Sequence, residues 1–79
     1  MREHPGSYIA DEIAERGMTQ RQLAEAMGRP PQAVNEIIRG KKRVTAATAC
    51  ELERVLGTSA EMWLRLQVAY DLDVERNRR

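Results

Sequence analysis

The chain has 79 residues, with 13 Lys and Arg against 12 Asp and Glu, a formal net charge of +1 and a hydrophobic share of 42%. That length suffices for one domain with a thin core, burying roughly 60% of its unfolded surface, so a partner subunit would help it. No apolar run approaches the ~20 residues a membrane span needs, and a single cysteine excludes an internal disulfide framework and fits a reducing compartment.

The N-terminal stretch Met1-Arg2-Glu3-His4-Pro5 has no apolar core of the secretory kind, so a cytoplasmic protein is expected. His4, alone beside a proline near the chain end, is expected in solvent. No segment alternates with the period of a strand; the signals are helical, and Gly17, Gly28, Gly40 and Gly57 each follow an apolar-periodic segment. Ser7 precedes a first helix at about 8–16. Thr19, with Gln22 three residues on, forms a capping box that opens a second at 20–27. Pro31 keeps Pro30 out of the α region and suits a first helical position, which starts a third helix at 31–39. Thr45 opens a fourth at 46–56, where Cys50 is expected to fill a gap between helices. Thr58 with Glu61 reads as a second capping box before a fifth at about 59–74, and the tail from Glu75 to Arg79 is expected to fray. The prediction is an all-α, five-helix single domain spanning 1–79, with a helix-turn-helix at about 19–40.

Leu23, Met27, Val34 and Ile37 are spaced to pack the second and third helices across a steep angle, around the small Ala24 and the turn glycine Gly28. This is the spacing of a DNA-binding helix-turn-helix, although a plain packing corner has the same needs. On the third helix Val34, Ile37 and Ile38 share the core face, which leaves Gln32, Glu36 and Arg39 opposite, with Ala33 and Asn35 on the flanks. Gln and Asn can bond adenine bidentately, a carboxylate can accept from cytosine N4, and an alanine methyl can meet thymine. Gln32, Ala33, Asn35 and Glu36 are therefore the candidate base-reading residues; the alternative is a solvated polar face.

The loop that follows carries Lys41, Lys42 and Arg43 after Arg39 and Gly40, opposed only by Glu36, whereas the first 28 residues are acidic on balance. Such a band faces phosphate, where positive charge gives affinity without sequence information. Gln20, at the start of the second helix, is placed to hold another phosphate with the helix N–H groups. Enzyme chemistry finds no constellation: one His and one Cys build no zinc site, and Gly40-Lys41 lacks the upstream glycine of a Walker loop. No cofactor or metal is expected.

The last helix is apolar on two sides. Trp63, Leu66, Tyr70 and Val74 form one stripe, and Leu64, Val68 and Leu72 a second, about 140° away. One should close the domain and the other meet a second copy, with Trp63, Leu64, Leu66, Gln67, Val68, Tyr70 and Leu72 as candidate dimer-interface residues; the alternative is that both stripes are buried within one subunit.

The stretches His4-Pro5-Gly6, Pro30-Pro31, Asn35-Glu36-Ile37, Arg39-Gly40-Lys41, Met62-Trp63-Leu64, Leu66-Gln67 and Tyr70-Asp71-Leu72 resemble the HigA family of antitoxins, from His4 to about Leu72. That family lies within the xenobiotic-response-element class of helix-turn-helix regulators, with a λ-repressor-like fold. The resemblance implies a homodimeric repressor of its own operon that also neutralises HigB, a RelE-like toxin that cleaves mRNA. It would place base reading on Gln32, Asn35 and Glu36 and backbone contacts on Lys41 to Arg43. Arg29 departs from the pattern, which has an apolar residue after the turn glycine; its stem would pack while its charge reaches phosphate. A basic toxin could dock on the acids Asp11, Glu12 and Glu15 of the first helix, which is otherwise a solvated face. The competing readings are a stand-alone phage-type repressor without a toxin, and a protein-binding inhibitor whose DNA site has decayed; retained Gln32 and Asn35 speak against the latter.

Overall fold

The structure, a computed structural model, describes residues 3–78; the charges of Arg2 and Arg79 counted above lie outside them. Among the described residues there are five helices and no strand: α1 (Pro5–Glu15), α2 (Gln20–Met27), α3 (Pro31–Ile38), α4 (Ala46–Leu56) and α5 (Ala60–Arg76). α2 packs on α3 and α4 on α5, while α1 lies across α3 and α5.

Local chemistry sets most boundaries. The Thr19 hydroxyl accepts from Gln22 N at 3.0 Å, and Thr19 N donates back to Gln22 Oε1 at 2.9 Å, so both halves of the capping box are made. Pro30, extended at ψ 145°, precedes Pro31 at the first position of α3. All of Gly17, Gly28, Gly40 and Gly57 have positive φ. At Gly28 (φ 75°) this reverses the chain so that Arg29 N can bond Ala24 O at 2.9 Å, closing α2 before the turn.

Three boundaries differ from expectation. α1 begins at Pro5, not near Tyr8, because Pro5 itself supplies the preset φ of a first helical residue and extended His4 caps it. The cap of α5 is Ser59, whose hydroxyl accepts from Met62 N at 3.2 Å. Thr58 is instead occupied by the Trp63 indole, which donates to its hydroxyl at 2.7 Å. At the other end α5 stays helical through Arg76, with Asn77 Nδ2 bonding Asp73 O at 2.7 Å in the last turn.

The core gathers Ile9 and Ile13 from α1, Leu23, Ala24 and Met27 from α2, Val34 and Ile37 from α3, Leu52 and Leu56 from α4, and Trp63 from α5. Val44, in the loop before α4, is buried with them. Two side chains are not where they were expected. Cys50 is exposed, since the inward positions of α4 belong to Ala49 and Leu52. His4 is half-buried: its ring lies edge-on to Tyr70 (centroids 6.0 Å apart) and against Gly40. The approach of α1 to α3 is close. A Cβ on Gly6 would stand 2.2 Å from Ile37 O and 2.5 Å from Ile38 O, so no larger residue fits there without parting the two backbones.

Candidate nucleic-acid interface

α3 turns Val34 and Ile37 into the core and leaves its other side outward. There Gln32 and Arg39 are exposed, and Ala33, Asn35 and Glu36 are half-buried. Asn35 Nδ2 donates to Gln20 Oε1 at 3.0 Å, a bond between α2 and α3 that fixes the angle of both amides. Asn35 keeps its Oδ1 and its second N–H, the pair that a bidentate contact to adenine uses. Gln20, at the first position of α2, keeps its N–H donors for a phosphate.

The loop after α3 wraps under its C-terminus. Gly40 N bonds Ile37 O at 3.1 Å, and Lys41 N and Lys42 N both donate to Glu36 O, at 2.9 and 3.2 Å. This turn carries Lys41 and Lys42 into solvent beside the polar face of α3, and neither forms an ion pair among the described residues.

Of the other basic residues proposed for the backbone, Arg39 is exposed, but Arg29 and Arg43 are engaged. Arg29 forks onto Glu51 of α4, its Nη2 bonding Oε2 at 3.0 Å and its Nε bonding Oε1. The hydrogen bonds to Glu51 hold its guanidinium above the ordinary arginine value, with burial opposing and charge attraction assisting. A half-buried cation needs such a partner, so Arg29 joins the turn to α4 and does not reach outward as expected. Arg43 Nη2 meets Asp71 Oδ2 of α5 at 2.5 Å, with both side chains still partly exposed. Glu51 and Asp71 were both missed in the sequence; no spacing rule announces an ion pair across elements 22 or 28 residues apart.

α5 settles which of its stripes closes the domain. Trp63 is 1% exposed and Gln67 4%, so both are interior residues, contrary to their assignment to an interface. Gln67 is inside because the buried Val44 N–H needs an acceptor: Gln67 Oε1 takes it at 2.7 Å, while Gln67 Nε2 donates to Asp71 Oδ1 at 2.9 Å. Leu66 is half-buried against the core, and Tyr70, also half-buried, meets His4. Val68 and Leu72 remain outside, and with Ala69, Glu61, Arg65 and the half-buried Leu64, which also packs against the core, they line a shallow apolar groove. Val68 and Leu72 are 52% and 43% exposed, and Val74, at the far end of the other stripe, is 45% exposed. On α1, Asp11 and Glu15 are exposed, whereas Glu12 pairs with Arg16 at 3.0 Å. Among the described residues no group of three His, Cys, Asp or Glu side chains could hold a metal ion, and no helix is long and apolar enough to cross a membrane.

Known proteins share this arrangement. The helix-turn-helix family model matches residues 9–63. Virulence-associated protein I of Dichelobacter nodosus is 40% identical over 70 residues, covering 87% of this chain; the chain spans 65% of that relative's length. An addiction module antidote protein of the HigA family from Coxiella burnetii superposes with a TM-score of 0.85 at 35% identity, over 98% of this chain and 96% of that one. The antitoxin HigA of Pseudomonas aeruginosa, solved with the higBA promoter, gives 0.90 at 33% identity, over 95% of this chain and 83% of its own. The chain thus belongs to the helix-turn-helix family and, within it, to the HigA antitoxins.

Proposed function

We propose that this protein is a cytoplasmic, sequence-specific repressor that reads duplex DNA with α3, and that it is also the antitoxin of a toxin-antitoxin pair. The observation that carries the first part is the outward face of α3: Gln32, Ala33, Asn35 and Glu36 stand beside Lys41 and Lys42, whose charges no partner takes among the described residues. The amides read base edges, the lysines and Gln20 hold phosphate, and Glu36 accepts from cytosine or excludes sites that crowd it. The Pseudomonas aeruginosa relative, solved with the higBA promoter, supports duplex DNA as the partner.

The groove along Leu64, Val68 and Leu72 is the surface for a second copy. A dimer built there would set two α3 helices for a two-fold operator, about 34 Å or a multiple of it apart. The toxin is proposed from membership in the HigA family, with Asp11 and Glu15 on α1 as its docking acids and Glu12 secondary because Arg16 holds it.

Binding titrations against a randomised operator library, repeated across salt concentrations, test the DNA reading. Gln32→Ala is expected to cost roughly 1–3 kcal/mol on the cognate site and relax preference at one or two base pairs. Lys42→Ala is expected to weaken all duplexes alike and lower the salt slope by about one unit. The same pattern from both variants, with sequence preference intact, would rule out this face as the reader.

A further inference from the structure

Two motifs lie outside the helix-turn-helix, His4-Pro5-Gly6 at one end and the Gln67 to Leu72 stretch at the other. The fold brings both to the loop that leaves α3. His4 lies against Gly40, Gln67 holds Val44 N, and Asp71 holds Arg43. The last contact is odd for a DNA-binding loop, since a carboxylate sits where a phosphate would be useful. It is also aimed. Gln67, rigid because it is buried, donates to one oxygen of Asp71 at 2.9 Å and leaves the other facing Arg43 at 2.5 Å. An exposed ion pair usually contributes little because both side chains must be immobilised, but here one of them is already fixed.

We infer that Asp71, aimed by Gln67, limits the affinity of this protein for DNA by holding the Arg43 guanidinium in place of a backbone phosphate. The inference rests on the DNA reading proposed above. While Arg43 stays paired with Asp71 it takes no phosphate, and so it releases no cation from the condensed layer on the DNA. Arg43 thereby adds almost nothing to the salt dependence of wild-type binding, although Lys41 and Lys42 beside it add their full share. The consequence is a repressor less attracted to arbitrary duplex than its basic loop suggests, with α5 as the element that sets the restraint.

The test uses wild type, Asp71→Asn, Arg43→Ala and the double variant, titrated with an operator duplex and an unrelated duplex between 50 and 200 mM salt. Asparagine keeps the oxygen that accepts from Gln67 and turns an uncharged N–H donor toward Arg43 in place of the carboxylate oxygen. Asp71→Asn is expected to tighten binding to both duplexes and to steepen the salt slope by about 0.9, so that its advantage over wild type changes about 3.5-fold across that salt range. In the Arg43→Ala background the same substitution is expected to change the slope by nothing. An unaltered slope for Asp71→Asn overturns the inference while wild-type binding leaves the DNA reading standing. An equal effect in both backgrounds also overturns it, because Asp71 would then be repelling DNA directly. Should wild type bind neither duplex, the DNA reading fails first and the inference with it. Asp71→Ser, melted alongside, gives the same expectation if the asparagine variant folds poorly.

Discussion

Replacing Gln67 with leucine tests how the DNA-side loop is held to the rest of the domain. The side chain is 4% exposed, and Val44, whose N–H it accepts at 2.7 Å, is 2% exposed, so water cannot take over the bond. Leaving that buried donor unpaired costs about 1–3 kcal/mol. Asp71 loses a donor as well, but half in solvent it replaces the bond with water at little cost. Leucine recovers a fraction through added apolar burial, which brings the net loss to about 2 kcal/mol. A domain of this size has roughly 4–12 kcal/mol of stability in all, and the loss corresponds to a fall in Tm of roughly 8–16 °C. Differential scanning calorimetry at several protein concentrations measures it and separates folding from association. Gln67→Glu adds a second readout. It keeps the acceptor for Val44 but buries a carboxyl facing Asp71, so the new group's folded pKa rises above its unfolded one. Stability is then fully present below the ordinary carboxylate range and lost as pH rises from there through the raised folded value, the reverse of wild-type carboxylates that are paired. A Gln67→Leu variant melting within about 2 °C of wild type would refute the reasoning.

Val68→Glu puts a charge in the Leu64–Leu72 groove and is expected to give folded monomers by sedimentation equilibrium at concentrations where wild type dimerises; a folded wild-type monomer at micromolar concentration excludes that interface. The Glu61 carboxyl is held below its ordinary value, first by the hydrogen bond to its own backbone N–H and then by the Ser59 hydroxyl. Its support of the first turn of α5 is therefore present above the ordinary carboxylate range and lost as pH falls through the lowered value, a dependence that Glu61→Gln should abolish in pH-dependent melting curves. Reversing Asp11, Glu12 and Glu15 together is expected to weaken toxin binding and spare operator binding; unchanged toxin affinity in a pull-down titration removes the docking surface from α1.

The helices themselves were legible in the sequence because their causes are local. Thr19 and Gln22 cap each other, Pro30-Pro31 forbids an earlier start, and the glycines end four segments within a few residues of their own position. The outward face of α3 followed from helical period alone, since Val34 and Ile37 had to turn inward. What the period could not decide was α5, whose two apolar stripes are equivalent by spacing. Tertiary packing broke the tie, and it did so with a glutamine, because a buried Val44 N–H required an acceptor that no apolar residue supplies. The ion pairs Arg29–Glu51 and Arg43–Asp71 were invisible for a related reason. A charged residue near DNA and a charged residue near a carboxylate have the same sequence, and only the folded chain places one beside the other. The sequence thus determined where each helix lies and which face of α3 looks outward, through interactions that span a few residues; the tertiary structure alone decided which charges are left to meet DNA, because partners distant in the chain compete for them.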